Sequence, residues 1–143
     1  MNKFEKFKYP VFLIIIIAIW SLFGFTKTSI VDVQPDKFRV EVSDVFSCEI
    51  SYDSIKSMTI QDMPEEGEII SGGSKRGIHY GKRHNRQWGE YTLCIAEKSK
   101  KCLVFDTTED IYVISYESTQ TTQSMYDAFV EFFNEHGYDI NIN

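Results

Sequence analysis

Residues 11–25 read Val-Phe-Leu-Ile-Ile-Ile-Ile-Ala-Ile-Trp-Ser-Leu-Phe-Gly-Phe without one charged side chain. Nothing else in this 143-residue chain restricts it as strongly. Counted from Tyr9 to Phe25, the run as a helix is about 25 Å long at about 1.5 Å per residue. That makes a short membrane span, since spans down to about 17 residues are accepted by a hydrocarbon core about 30 Å thick. Lys3, Lys6 and Lys8 precede the run and Lys27 follows it, placed to snorkel from both ends. Pro10 falls in the first turn, where its missing N–H costs nothing. The run is apolar on every face and has no domain before it, which argues against a buried core helix.

A cleaved signal peptide is the rival reading. The basic flank suits it, but Thr26-Lys27-Thr28 follows the run where small residues of the A-x-A kind would be needed. The lysine excess before the run places the N-terminus inside and the following domain outside the cytoplasm. The expected organisation is a basic flank at 1–8, a transmembrane anchor at 9–25, a connector at 26–37, one domain at 38–137 and a tail at 138–143. The expected location is the cell membrane, in a single pass, with the domain extracytoplasmic.

The residues after the anchor suffice for one domain. A net charge of −6 argues against nucleic acid as a partner. Cys48, Cys94 and Cys102 are too few for a disulfide scaffold and contain no CxxC pair, so a zinc site is not indicated. Cys94 and Cys102 flank a polar turn at 97–101, so their strands are expected to pair. An extracytoplasmic domain would then permit a bridge, although two ordinary strand cysteines are the simpler reading.

From residue 38 the period is two. Phe38, Val40 and Val42 alternate with Arg39 and Glu41; Phe46, Cys48 and Ile50 alternate with Ser47, Glu49 and Ser51. A further element runs from Tyr52 to Met63 and stops at Pro64. Residues 65–88 hold five glycines and read as a long loop or as irregular strands joined by wide turns. Strands are expected again at 91–96, 102–105 and 111–116, all rich in β-branched and aromatic residues. The period then becomes 3.6: Met125, Phe129, Phe132 and Phe133 share one helix face, with N-cap oxygens at Ser118, Thr119 and Thr121 and a stop at Gly137. The aromatic stripe reads as a core face laid on a sheet.

That order, carried by Ile50-x-Tyr52-Asp53-x-Ile55, Met63-Pro64, Arg76-Gly77, Gly81, Gly89, Tyr112-Val113-Ile114 and Ser124-Met125-Tyr126, resembles the bacterial pleckstrin-homology-like domains found behind N-terminal membrane segments. The resemblance covers about 38–133. It implies a mainly β fold: a bent antiparallel sheet, a partly open barrel, capped by a C-terminal helix. It also implies binding or membrane association without enzymatic activity, in some relatives as self-protection against membrane-active peptides.

Chemistry is concentrated in residues 75–88, which contain no acid but five of the fifteen Lys and Arg residues. The rest of the chain holds ten basic against 21 acidic residues. Forked arginine donors match phosphate or carboxylate, and Trp88 suits an interface. The candidate ligand contacts are therefore Lys75, Arg76, His79, Lys82, Arg83, Arg86 and Trp88, facing an anionic lipid, peptide or protein. A solvated basic loop that offsets Glu65, Glu66 and Glu68 is the plainer alternative. His79 and His84 have no spacing that demands a metal, no Cys–His signature is present, and the GxxxxGK[ST] order is missing. No catalytic residue, metal or cofactor is expected. The alternatives to a binding module are a structural subunit of a membrane complex and an exported small hydrolase.

Overall fold

The computed structural model describes residues 29–142. The expected anchor at 9–25 lies outside them. Among the described residues no helix is long and apolar enough to cross a membrane.

Three strands, β1 (Ser29–Val33), β2 (Lys37–Val42) and β3 (Phe46–Ser51), form an antiparallel sheet in that order. In β2 the alternation becomes geometry. Phe38, Val40 and Val42 are buried, while Arg39 and Glu41 face outward and pair at 2.6 Å. β1 falls in the segment expected to be a connector. Its Val31 and Val33 are buried in the same core, so the domain begins earlier than its sequence pattern shows. The stretch is too short and too mixed with Asp and Gln for alternation to stand out.

A 3-10 turn at Tyr52–Ser54 carries the chain into the second sheet. Tyr52 is buried there, donates its hydroxyl to the Gln34 carbonyl at 2.8 Å and packs on Phe132, Phe133 and Tyr138. The second sheet contains β4 (Ile55–Asp62), β5 (Glu68–Ile69), β6 (Gly73–Lys75), β7 (Ile78–Asn85), β8 (Gly89–Ala96), β9 (Lys101–Thr107), β10 (Ile111–Ile114) and β11 (Asn141–Ile142). Its order is β11-β4-β9-β10-β8-β7-β5, with β6 also paired to β7. The two sheets do not close into a barrel.

Of the two readings of 65–88, the structure takes the strands: β5, β6 and β7 fall within it, and β7 pairs with β8 over its whole length, from Ile78 opposite Ala96 to Asn85 opposite Gly89. One expectation is corrected: β8 does not pair with β9. β10 lies between them, parallel to β8 and antiparallel to β9. The 97–100 turn can bridge that gap because Ser99 is buried and its hydroxyl meets Thr122 at 3.1 Å, which ties the turn to the C-terminal helix. Cys94 and Cys102 therefore stand on strands separated by β10 and belong to separate clusters on opposite faces of the sheet. Both are free thiols, and no bridge between them fits this topology.

Helix α1 (Thr119–His136) follows its sequence signals closely. The Ser118 hydroxyl accepts from the Thr121 N–H at 3.1 Å, and the Thr121 hydroxyl accepts from the Ser118 N–H at 3.0 Å, a reciprocal capping box. Gly137 ends it at φ +68°, the left-handed conformation glycine adopts without steric cost. Met125, Phe129, Phe132 and Phe133 are buried against Phe38, Tyr52 and Phe105. The 138–143 stretch is more than a tail: Tyr138 joins the aromatic cluster, and β11 adds a short parallel strand to β4.

Candidate functional site

The basic segment is spread over β6, β7 and the turns at either end of β7. Arg76 and Gly77 have φ of +51° and +80° and form the two-residue turn between β6 and β7, as a type I′ hairpin requires. Arg86 lies in the turn between β7 and β8, at the opposite end of β7. At about 3.3 Å per residue, the eight-residue strand sets the backbone positions of these two residues more than about 20 Å apart. Two of the lysines have acidic partners. Lys75 lies 3.8 Å from Asp44, and Lys82 lies 3.8 Å from Asp110.

Arg83 is buried beneath the strap and is 2% exposed. Its guanidinium donates to the carbonyls of Ser71 at 3.0 Å, Tyr80 and Lys82 at 3.2 Å and Gly73 at 3.3 Å. A buried charge needs such partners, so this arginine shapes the 71–73 backbone and does not face a ligand at the surface. Trp88 packs edge-on against Tyr91, in the smaller apolar cluster on the outer face of the second sheet.

His79 is held from both sides. Its Nδ1 lies 2.8 Å from Glu66 and its Nε2 lies 2.7 Å from Glu97. Partial burial alone would lower its pKa. The hydrogen bonds to Glu66 and Glu97, with their negative charges, outweigh burial and raise it. With a carboxylate at each nitrogen, both ring nitrogens donate, which is the imidazolium form. Among the described residues no group of His, Cys, Asp and Glu is arranged to hold a metal ion.

The outward parity of β7 and β8 thus secures the strap at residues 63–73. Besides Arg83 and His79, the Asn85 amide donates to the Glu65 carbonyl at 2.8 Å and the Tyr91 hydroxyl to the Glu66 carbonyl at 2.7 Å. The strap meets β7 backbone to backbone at Gly72 and Gly81. A Cβ at Gly72 would lie 2.3 Å from the Tyr80 oxygen, and one at Gly81 would lie 2.3 Å from the Ser71 oxygen.

On the other side of that contact is an open groove of about 410 Å³. Val45, Phe46, Ser47 and Cys48 form one wall, and Tyr80, Gly81 and Lys82 of β7 form the other. Ser71 and Gly72 of the strap make the rim, and Thr92, Asp110 and Tyr112 complete the lining. Phe46 and Tyr80 rings approach to 5.7 Å. Asp110 is fixed by the Thr92 hydroxyl at 2.6 Å and by the Ile111 N–H at 2.8 Å. Burial, with smaller contributions from Cys48, Asp110 and Glu109, raises the Tyr112 pKa, so its phenol stays neutral.

The large hydrophobic side chains exposed among the described residues are Val45 at 46%, Ile69 at 66% and Ile70 at 48%. Val45 lines the groove, and Ile70 immediately precedes its rim residue Ser71. Of the sequence-predicted contacts, only Lys82 lines this groove. The others lie in turns, in the strap contacts or on the outer face. Phe46, Tyr80, Asp110 and Tyr112 come together from three distant parts of the chain, and no local pattern announces that meeting.

The thiols offer no nucleophile. Burial pushes Cys48 up to about 12 and Cys102 up to about 12, and raises Cys94 as well, so all three are protonated at neutral pH.

No curated protein and no solved structure matches the chain. A family profile described as the bacterial PH domain matches residues 31–126, from within β1 through the first part of α1. With about two thirds of its length covered, and with this sheet-and-helix architecture, the chain belongs to the bacterial PH domain family.

Proposed function

We propose that the protein is a non-enzymatic binding module acting at a membrane surface, and that it takes a peptide segment of a partner into the groove between β3 and β7. Family membership supports the first half, since PH-like domains are generally non-catalytic binding modules and no enzyme family is indicated. The charge-free run at 11–25 supports the tether, and the lysine count supports an extracytoplasmic domain.

The groove itself carries the choice of site. Its volume falls within the roughly 300–1,000 Å³ of ordinary ligand seats. It has aromatic walls, a few fixed polar groups, and exposed aliphatic side chains at or beside its rims. Residues 29–142 hold eleven basic and twenty acidic side chains, a net charge of −9. That balance favours a basic peptide over an anionic lipid. The five cations at 75–88 do not reverse it, because they are paired, buried or placed at opposite ends of a strand. Self-protection against a membrane-active basic peptide is one form such binding would take.

The test uses the full chain in neutral-lipid nanodiscs, panned against a random twelve-residue peptide library. Enriched peptides are then titrated in while backbone amide shifts are followed. Shifts concentrated at 45–48, 71–72, 80–82 and 110–112 are expected. No enrichment over empty nanodiscs, or shifts confined to the turns at Arg76 and Arg86, would overturn the reading.

A further inference from the structure

Resting on the groove reading, we infer that the bound peptide is an extended strand added to the free edge of β3, with apolar side chains turned inward and basic ones outward.

The first observation is topological. β3 ends the three-stranded sheet, and its pairing with β2 runs from Phe46 opposite Val42 to Ser51 opposite Lys37. Among the described residues no strand pairs with its second edge. An edge of this kind presents unpaired N–H and C=O groups, a template for another chain.

The second observation is how β3 borders the groove. Successive side chains of a strand point to opposite faces, so a groove lying against one face would touch every second residue. Here Phe46, Ser47 and Cys48 of β3 line it without a gap, continued by Val45 of the preceding turn. The groove therefore runs along the backbone edge. The usual guards of such an edge are weak in β3, which has no proline and a single charged residue, Glu49.

The third observation sets the chemistry. Along β3, Phe46, Cys48 and Ile50 turn toward the core, whereas Ser47, Glu49 and Ser51 are exposed. A strand added in register repeats that alternation. Its inward residues meet the Phe46, Tyr80 and Tyr112 rings and are apolar. Its outward residues stand beside exposed Glu49, on a domain of net charge −9, and are basic. Glu49 already holds Lys37 at 3.1 Å, so an outward lysine or arginine of the ligand shares that carboxylate. Strand addition gives affinity through the main chain and selectivity through alternate side chains, the mode suited to a shallow groove.

The test of strand addition modifies the ligand and leaves the protein unchanged, so misfolding cannot produce its result; protein variants serve only to test the groove as the seat. The best library-selected peptide is resynthesised in two forms, N-methylated at odd or at even positions of its central six residues. Affinity for the full chain in neutral nanodiscs is measured by calorimetry. In strand addition only alternate amides face β3. One form should lose at least about tenfold in affinity and the other should stay within about twofold. Equal effects of the two forms would overturn strand addition. Selected peptides that bind Tyr112→Ala and Phe46→Ala proteins as tightly as the native chain would instead show that the groove is not the seat.

Discussion

On the inner side of the large sheet, Phe38, Phe105, Phe129 and Phe133 meet ring to ring, with centroids 4.9–5.6 Å apart. Along the edge of β7 the 63–73 strap is held by the short backbone pairings of β5 and β6 and by polar side-chain contacts: Arg83 to Ser71 and Gly73, Asn85 to Glu65, Tyr91 and His79 to Glu66. Apolar burial is non-directional and roughly proportional to the apolar area removed from water. The strap depends instead on directional hydrogen bonds from backbone and side chain, which hold the groove rim at Ser71 and Gly72 in place. The scaffold and the binding edge are therefore stabilised by different chemistry, and they should fail differently.

The sharpest way to break the comparison is at the scaffold. Phe129→Ala should destabilise by about 3–5 kcal/mol, read from urea unfolding midpoints, because a buried ring leaves a cavity beside Phe38, Phe105 and Phe133. A change below about 1 kcal/mol would remove the helix-on-sheet core. Next comes the strap. Arg83→Met should cost about 1–3 kcal/mol, since it keeps a long apolar stem but leaves buried carbonyls without a donor. It should also speed amide exchange at Ile70 and Ser71, which donate to the Lys82 carbonyl at 3.0 and 3.2 Å, while exchange in α1 stays unchanged. Equal acceleration in both regions would mean that strap and core are one unit.

A third prediction concerns pH. The folded His79 has a raised pKa, so its contribution is fully present below its ordinary value of about 6.5 and is lost as pH rises through the folded value. The native chain should therefore be more stable than His79→Gln in acid, and the difference should shrink as pH rises past neutrality. Unfolding midpoints over a pH series for both proteins check this. A difference that stays flat across the series would show that the Glu66 and Glu97 contacts do not hold the imidazolium. The smallest effect belongs to the turns: Arg76→Ala with Arg86→Ala should reduce stability by no more than about 0.5 kcal/mol per site.

Much of the inner scaffold is legible in the sequence. Phe38-x-Val40-x-Val42 and the Met125–Phe133 stripe carry the periods of 2 and 3.6 that burial on one face imposes. Ser118, Thr121 and Gly137 announce the helix ends because capping is local chemistry. The insertion of β10 between β8 and β9 is not legible, since strand order depends on long-range contacts and a four-residue polar turn looks like any hairpin. The surroundings of residues 75–88 are illegible for a related reason. Composition reports five cations, but it does not report that Arg83 shares the parity of the buried outer face or that Asp44 and Asp110 wait opposite Lys75 and Lys82. The groove is the least legible feature, because it arises where the edge of one sheet meets the edge of the other.

The most direct test of the account compares two double variants in one binding measurement, using the full chain in neutral nanodiscs and a library-selected peptide. Phe46→Ala with Tyr112→Ala removes aromatic groove walls, and Arg76→Ala with Arg86→Ala removes the cations at the ends of β7. The account predicts a loss of at least about tenfold for the first pair and less than about twofold for the second. The reverse order would place recognition on the basic segment and contradict the groove as the seat of binding.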